Sequence, residues 1–212
     1  MYPWQTTQWQ QIMQRTSMPH ALLLRGRAGL GKHDFALAIS HCLLCSQPLN
    51  TYACGACPSC IWFKEGGHPD FKWIGPEDNE ADDESATVSK KKATKKSQIS
   101  VAQIRALNNY LSLTNHQTNG RRVVLISPAE LLNNASSNAL LKMLEEPPAN
   151  TLFLLVTSQP QRLLATIISR CQAIDMPPPS HDDALEWLTQ QGLNNAHHQL
   201  SYAGGEIGRA HV

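Results

Sequence analysis

The chain has 212 residues, 42% of them hydrophobic, with a formal net charge of +1. This length suffices for one well-packed core and a small second domain, and the balanced charge gives no reason to expect strong nucleic-acid binding by the chain alone. The sequence contains no apolar stretch near the ~20 residues of a membrane span and no signal-peptide pattern, so we expect a cytoplasmic protein that does not contact membranes.

The hydrophobic pattern predicts short strands that alternate with helices. In chain order the predicted elements are a polar helix at 4–16, strand 21–24, helix 34–45, a short helix after residue 60, strand 71–74, helix 101–111, strand 122–126, helix 136–145, strand 152–156, helix 162–169, strand 171–174, and short helices at 181–191 and 195–203. Apolar strands that alternate with helices indicate an α/β domain with a parallel sheet between helices.

Three composition changes divide the chain. Residues 75–98 crowd acidic side chains and then lysines with almost no apolar residue, which is typical of a flexible charged insertion. Three consecutive prolines at 177–179 predict a boundary. We therefore expect one domain over residues 1–176, with a cysteine-rich module at 45–60, and a small helical domain at 177–212.

A glycine-rich segment follows the first predicted strand. Residues 26–33, GRAGLGKH, fit the phosphate-binding template G-x-x-x-x-G-K-[ST] at Gly26, Gly31 and Lys32. The template ends in a hydroxyl residue that binds Mg²⁺, and this chain has His33 there. A turn of this kind directs backbone N–H groups and a helix N-terminus at an anion. The segment predicts a nucleotide-binding architecture with an altered metal position.

The second half of such a site is an acidic residue at the end of a later strand. Here strand 122–126 runs into Ser127 and Pro128, and no carboxylate stands at that position. Glu130 follows after a turn, and we expect it to be badly aimed. The chain therefore has the architecture of a nucleotide site and lacks residues that hydrolysis requires.

Four cysteines have the spacing of metal ligands. Cys54, Cys57 and Cys60 form a C-x-x-C-x-x-C pattern, and Cys45 adds a fourth thiolate from the end of the preceding helix. In a reducing compartment such a cluster favours a structural Zn²⁺ site without an open position for catalysis, with reduced free thiols as the alternative. Cys42, one helical turn before Cys45, is interpreted as a packing residue.

Three sequence blocks carry a family resemblance: HAL at 20–22, SNALLKMLEEPP at 137–148 and TIISRC at 166–171. With these pieces in order, the chain resembles the bacterial DNA polymerase III clamp-loader subunits of the AAA+ class. The resemblance covers nearly the whole chain except residues 75–98. It implies a P-loop AAA+ domain with five parallel strands, a zinc module, and a small helical lid domain that the chain contains in part. Family members also carry a C-terminal collar, so we expect this sequence to be an N-terminal fragment.

Within that family, His33 and the Ser127-Pro128 pair are similar to the non-hydrolysing delta-prime subunits rather than to the gamma/tau motor subunits. The resemblance implies a stator that joins gamma/tau and delta subunits and helps load the sliding clamp on primed DNA. It also implies that Arg170, in the Ser-Arg-Cys block, acts as an arginine finger on the ATP of a neighbouring subunit. The implied degenerate nucleotide positions are Gly26, Gly29, Gly31, Lys32, His33 and Thr157.

Two other functions are compatible with parts of the sequence. One is an active gamma/tau-like ATPase, in which Glu130 would replace the missing acid and His33 would be tolerated. The other is a stand-alone zinc module that binds nucleic acid, which the neutral charge and the lack of aromatic residues within a basic stripe disfavour. Polymerase chemistry is expected only from the holoenzyme, because no cluster of carboxylates for two metal ions is present. Binding of ATP and Mg²⁺ by this chain is left open.

Overall fold

The computed structural model describes residues 2–76, 98–112 and 120–190. At its centre five strands form one sheet in the order β2-β3-β4-β1-β5, and every neighbouring pair is parallel. The predicted five-stranded parallel sheet is therefore confirmed. The strands are β1 (Ala21–Arg25), β2 (Phe71–Ile74), β3 (Arg122–Ile126), β4 (Thr151–Thr157) and β5 (Gln172–Asp175).

Helices cover both faces of the sheet. Alternate residues of a strand point to opposite faces, so Leu23 of β1 packs into a core with α4, α5 and α6, and Leu22 into a core with α1 and α2. Because both faces are covered, the central strands are continuous apolar runs. The helices are α1 (Thr6–Met13), α2 (Lys32–Leu44), α3 (Pro58–Lys64), α4 (Val101–Ser112), α5 (Asn134–Glu145), α6 (Ala165–Ile168) and α7 (His181–Gln190), with 3₁₀ turns at Pro3–Gln5, Ala129–Leu131 and Pro160–Arg162.

The boundaries differ most from the prediction between β4 and β5. A single helix was predicted at 162–169, but the chain forms a 3₁₀ turn and then the short helix α6. Leu163 and Leu164 between them adopt extended backbone conformations, and both pack against the core. Burial of this apolar pair thus overrides local helix propensity.

Several predictions concern residues outside the described ranges. These are the predicted helix at 195–203, most of the charged insertion at 75–98, and the part of the lid domain beyond residue 190. Of the residues predicted to form the lid, the structure describes 177–190, which include helix α7. No helix in the described ranges is long and apolar enough to cross a membrane.

The parallel sheet creates two distinct edges. The segments that follow β1, β3 and β4 meet where the strands end, which we call the carboxyl edge. The segments that precede the strands meet at the opposite side, the amino edge. In open α/β sheets ligands bind outside the carboxyl ends of the strands, so the P-loop lies where this fold places a ligand site.

Candidate functional sites

The glycine-rich segment turns from β1 into α2 at the carboxyl edge. Gly29 and Gly31 have φ angles of 76° and 68°, which side-chain-bearing residues rarely adopt. At Gly26 a Cβ atom would lie 2.5 Å from the carbonyl oxygen of Met176. Gly31 is the residue that caps α2, so the helix begins at Lys32, two residues earlier than predicted. These glycines are required by the conformation of the turn.

The side chain of Lys32 is bound within the protein. Its ammonium group donates hydrogen bonds to the carbonyl oxygen of Arg27 and to Ser158 Oγ, the latter at 3.0 Å. The residue is only 5% exposed. In a working P-loop the corresponding lysine contacts the β- and γ-phosphates. Here protein oxygen atoms accept hydrogen bonds from that ammonium group.

The two positions that should bind Mg²⁺ contact each other instead. His33 Nδ1 lies 3.0 Å from Ser127 Oγ, at hydrogen-bond distance. The indole of Trp73 fixes this pair, because Trp73 Nε1 donates to the carbonyl oxygen of Ser127 at 3.3 Å and its ring meets that of His33 edge-on. The pair therefore connects the start of α2 to the end of β3, and neither residue carries a carboxylate.

Glu130 lies closer to this site than the sequence analysis expected. It stands on the 3₁₀ turn after β3, and its Oε1 accepts a hydrogen bond of 3.1 Å from the backbone N–H of Ser158. The turn carries the carboxylate of Glu130 to the carboxyl edge, where one of its oxygen atoms is bound to the backbone. Its other oxygen is buried and has no hydrogen-bond partner among the described residues.

Thr157 and Ser158 end strand β4 at the same edge. Thr157 is buried, and its hydroxyl accepts a hydrogen bond of 3.1 Å from the backbone N–H of Gln159. Ser158, which contacts Lys32, was missed by the sequence analysis. The signal that indicates it is its position directly after a buried parallel strand, where polar residues reach the ligand side of the sheet.

Aromatic side chains from both ends of the described chain cover the P-loop. Tyr2 stacks on Trp4 with ring centroids 4.9 Å apart, and Trp187 of α7 meets both rings edge-on. Buried Gln5 donates from Nε2 to the carbonyl oxygens of Leu30 and Gly31, at 2.9 and 3.2 Å. The sequence analysis missed this cluster. It fastens the N-terminal segment and α7 onto the glycine-rich turn.

Replacement of Gly31 by alanine is expected to destabilise the protein by about 2–3 kcal/mol. The φ angle of 68° disfavours any side chain, and the new Cβ would collide with the ring of Tyr2. Chemical denaturation followed by fluorescence measures the loss. Gly67→Ala is the matched control, because a Cβ at Gly67 meets no atom within 4 Å. Equal stability of the two variants would contradict the described packing on Gly31.

The four predicted cysteine ligands converge in one cluster. All four Sγ atoms lie within 4.8 Å of one another, and three of the separations are 3.5 Å (Cys45–Cys54), 3.8 Å (Cys45–Cys57) and 3.9 Å (Cys54–Cys60). Zn–S bonds of about 2.3 Å place tetrahedral sulfur atoms about 3.8 Å apart, so the cluster fits Zn²⁺. Four thiolates would close the coordination shell and give the ion a structural role.

Local structure explains why these cysteines meet. Cys45 directly follows the last residue of α2, Cys57 precedes the first residue of α3, and Cys60 lies in the first turn of α3. The backbone N–H groups of Cys54 and Cys57 donate to Cys45 Sγ and Cys54 Sγ at 3.3 and 3.4 Å. Such bonds favour the charged thiolate form that a metal requires.

The two remaining cysteines lie outside the metal cluster. The thiol of Cys42 donates to the carbonyl oxygen of Thr51 at 2.9 Å, and burial together with the nearby Cys45 raises its pKa to about 11. Burial likewise raises the pKa of Cys171 to about 11. Both thiols therefore stay protonated near neutral pH, which agrees with packing roles.

A buried histidine ties the cysteine module to the sheet. His68 Nδ1 accepts from the backbone N–H of Asp70 at 3.0 Å, so its Nε2 carries the proton and donates to Ser59 Oγ at 2.8 Å. Ser59 in turn donates to the carbonyl oxygen of Leu44, at the end of α2. Burial lowers the pKa of His68, consistent with this neutral form. The chain of bonds joins α2, α3 and the start of β2.

Arg170 lies at the amino edge, between α6 and β5. Its guanidinium donates from one terminal nitrogen to the carbonyl oxygen of Thr166 at 3.0 Å, and its other terminal nitrogen lies 2.6 Å from Glu145 Oε1. The side chain is 35% exposed. The five-residue strand β1 has its P-loop at the far end, roughly 15 Å away along the strand direction. Arg170 therefore stands on the opposite side of the sheet from Lys32.

Comparison with known proteins places this arrangement in a family. The family described as "DNA polymerase III, delta subunit" matches residues 2–180. The subunit delta' of Pseudomonas aeruginosa is 40% identical over 190 residues, which cover 90% of this chain and 53% of that protein. The subunit delta' of Escherichia coli K12 is 35% identical over 193 residues, again 90% and 53%. The chain thus spans about half the length of these relatives.

Solved structures agree on the fold. A DNA polymerase III gamma subunit-related protein from Thermotoga maritima superposes with a TM-score of 0.58 at 18% identity, covering 96% of this chain and 58% of that one. The RuvB Holliday junction branch migration motor of the same organism gives a TM-score of 0.54 at 14% identity, covering 97% and 57%. These likenesses show a shared fold, in which helices cover both faces of a parallel sheet. The family match over residues 2–180, together with the similarity to the two delta' subunits, shows that the chain belongs to the DNA polymerase III delta' subunit family.

Proposed function

We propose that this chain is the nucleotide-binding-type portion of a clamp-loader subunit that does not hydrolyse ATP itself. In this proposal it serves as a stator and supplies Arg170 to ATP bound by a neighbouring subunit. The observation that carries the proposal is the placement of Arg170 at the amino edge, on the far side of the sheet from Lys32. An arginine in that place has no route to the P-loop of its own chain.

The state of the chain's own nucleotide site supports the first half of the proposal. Lys32 is engaged by Arg27 and Ser158, and the pair His33–Ser127 occupies the positions of the Mg²⁺ ligands. Hydrolysis needs a metal to neutralise charge on the phosphates and a group that orients the attacking water. Neither group is supplied by the residues at these positions. The site therefore acts as a fixed structural turn.

The half-buried guanidinium of Arg170 supports the second half of the proposal, its action on ATP bound by a neighbour. A planar guanidinium with several N–H donors matches the oxygen atoms of a transferring γ-phosphoryl group. In nucleotide hydrolases an arginine finger supplied in trans accelerates the reaction about 10³–10⁵-fold. A subunit can thus lose its own chemistry and still be required for the chemistry of its neighbour.

The family membership supplies the setting of the proposal. The relatives are named as subunits of DNA polymerase III. We propose that the whole protein assembles with gamma/tau and delta subunits, and that the complex places the sliding clamp on primed DNA. The zinc module then has a stabilising role, since its closed thiolate shell leaves no position for a reacting molecule.

Mg²⁺-dependent ATP hydrolysis by this chain alone tests the silent site. Turnover is expected at background, and Lys32→Ala is expected to leave it there, because Lys32 already hydrogen-bonds within the protein. An active catalytic subunit measured in parallel is the positive control. Clear turnover that Lys32→Ala abolishes would contradict the proposal and assign the chain to the motor subunits.

One observation favours that second candidate, an active ATPase. Glu130 reaches the carboxyl edge, and one of its oxygen atoms is buried without a partner among the residues described. If turnover is found, Glu130→Gln separates the candidates further. Loss of turnover in that variant would identify Glu130 as the replacement for the missing acid, while unchanged turnover would exclude it from the reaction.

A further inference from the structure

We propose that Glu145 is a positioning residue for Arg170, an inference that rests on the proposed function in trans. Glu145 is the last residue of α5, and Arg170 follows the end of α6. The two elements bring a carboxylate and a guanidinium together at the amino edge, with Oε1 of Glu145 2.6 Å from a terminal nitrogen of Arg170.

Two contacts of different origin hold the guanidinium. Glu145 binds one terminal nitrogen, and the carbonyl oxygen of Thr166 accepts from the other at 3.0 Å. Because the guanidinium is planar and rigid, contacts on two of its nitrogen atoms fix the orientation of its plane. These two bonds use two of its five N–H donors. A phosphate of a neighbouring subunit can then meet donors whose direction is already set.

The position of Glu145 is unfavourable for its own helix. A negative charge at a helix C-terminus opposes the helix dipole, and lysine or arginine is the preferred residue there. Arg170, after the end of α6, has the favourable sign, and it donates to the carbonyl oxygen of Thr166, which also accepts from Ser169 Oγ at 3.0 Å. The carboxylate of Glu145 is therefore explained by its contact with Arg170 and not by helix formation.

Stability also fails to explain the pair. The side chains are 35% and 49% exposed, and ion pairs this accessible to water contribute little to folding. The pair can instead preorganise Arg170 for catalysis. A long arginine side chain that is already held in place loses less conformational freedom when it contacts the transition state. The geometry thus predicts an effect on catalysis in the neighbour that is larger than any effect on folding.

The test uses the full-length subunit in the reconstituted clamp loader, with ATP turnover measured at the site it serves. Glu145→Ala is expected to lower kcat about tenfold and to leave KM unchanged, because the contact acts in the transition state. Glu145→Gln is expected to retain most of the rate, since its amide oxygen still accepts from Arg170. Glu146→Ala is the matched control, an exposed neighbour that has no side-chain partner within the described residues.

A double variant shows whether Glu145 acts through Arg170. In an Arg170→Ala background, Glu145→Ala is expected to have no further effect on kcat. The single variant Glu145→Ala is expected to unfold at the same thermal midpoint as Glu146→Ala. If Arg170→Ala is strongly impaired, two results would overturn the role of Glu145 and leave the role of Arg170 intact. One is an unchanged or raised kcat in Glu145→Ala, and the other is a further loss of kcat in the double variant. Normal turnover in Arg170→Ala would overturn the proposed function together with this inference.

Discussion

Replacement of Arg170 by alanine in the assembled clamp loader is expected to slow ATP hydrolysis at the neighbouring site about 10³-fold or more. The guanidinium would stabilise negative charge that develops on the γ-phosphoryl group, and alanine leaves that charge to water. The loss is expected only at the site that Arg170 serves, so total ATP turnover falls by the fraction which that site contributes. Single-turnover hydrolysis measures the rate at that site alone when the other catalytic subunits are inactivated by replacement of their P-loop lysines.

Two variants define the chemical basis of that loss. Arg170→Lys keeps the charge but cannot form the two-nitrogen fork, so it is expected to restore only a minor part of the rate. Arg162→Ala removes an equal charge from an exposed residue that follows β4, and it should have no effect on the neighbour. A loss of similar size in Arg162→Ala would show that total charge, not Arg170, is responsible.

Replacement of Cys60 by serine is expected to remove the bound zinc and to lower the free energy of unfolding by about 4 kcal/mol or more. Cys60 is fully buried and lies within the cluster of four thiols. Without the ion, the remaining buried cysteines take up protons, and the loop between α2 and α3 loses its crosslink. Elemental mass spectrometry measures the zinc content, and denaturant titration measures the free energy of unfolding.

The matched control for the zinc prediction is Cys42→Ala. Its thiol is protonated and bonds to the carbonyl oxygen of Thr51, so the variant should keep one zinc per chain and lose little stability. The same zinc content in Cys60→Ser and Cys42→Ala would contradict the ligand assignment. So would a wild-type protein that contains no stoichiometric zinc when purified without chelators.

Local sequence patterns were sufficient to predict the sheet and the cysteine cluster. The central strands contain apolar runs because helices cover both faces, as the residues VVLI of β3 and LFLLV of β4 show. The four cysteines lie within sixteen residues, from Cys45 to Cys60, so their spacing in the sequence is sufficient to predict that their thiols meet. In both cases the determining information is short-range.

Long-range contacts account for what the sequence did not reveal. Tyr2 and Trp187 meet over Gly31 from opposite ends of the described chain, and no local pattern connects them. The contact between Glu145 and Arg170 is likewise created by the packing of α5 on α6. Such pairs depend on how the elements dock, which periodicity does not determine.

Backbone conformation explains the errors in element boundaries. Helix α2 begins at Lys32, earlier than predicted, because the left-handed conformation of Gly31 ends the glycine-rich turn directly before it. Leu163 and Leu164 interrupt a predicted helix because their burial in the core outweighs helix propensity. The position of Glu130 also depends on the backbone, since the 3₁₀ turn after β3 brings its carboxylate to the N–H of Ser158.

The most direct test of the central claim compares two assemblies that differ only in this subunit, one with Lys32→Ala and one with Arg170→Ala. ATP turnover at the neighbouring site is measured in both. We expect Lys32→Ala to leave turnover unchanged and Arg170→Ala to reduce it about 10³-fold or more. Unchanged turnover with Arg170→Ala, or a large loss with Lys32→Ala, would contradict the proposed role of Arg170 in trans.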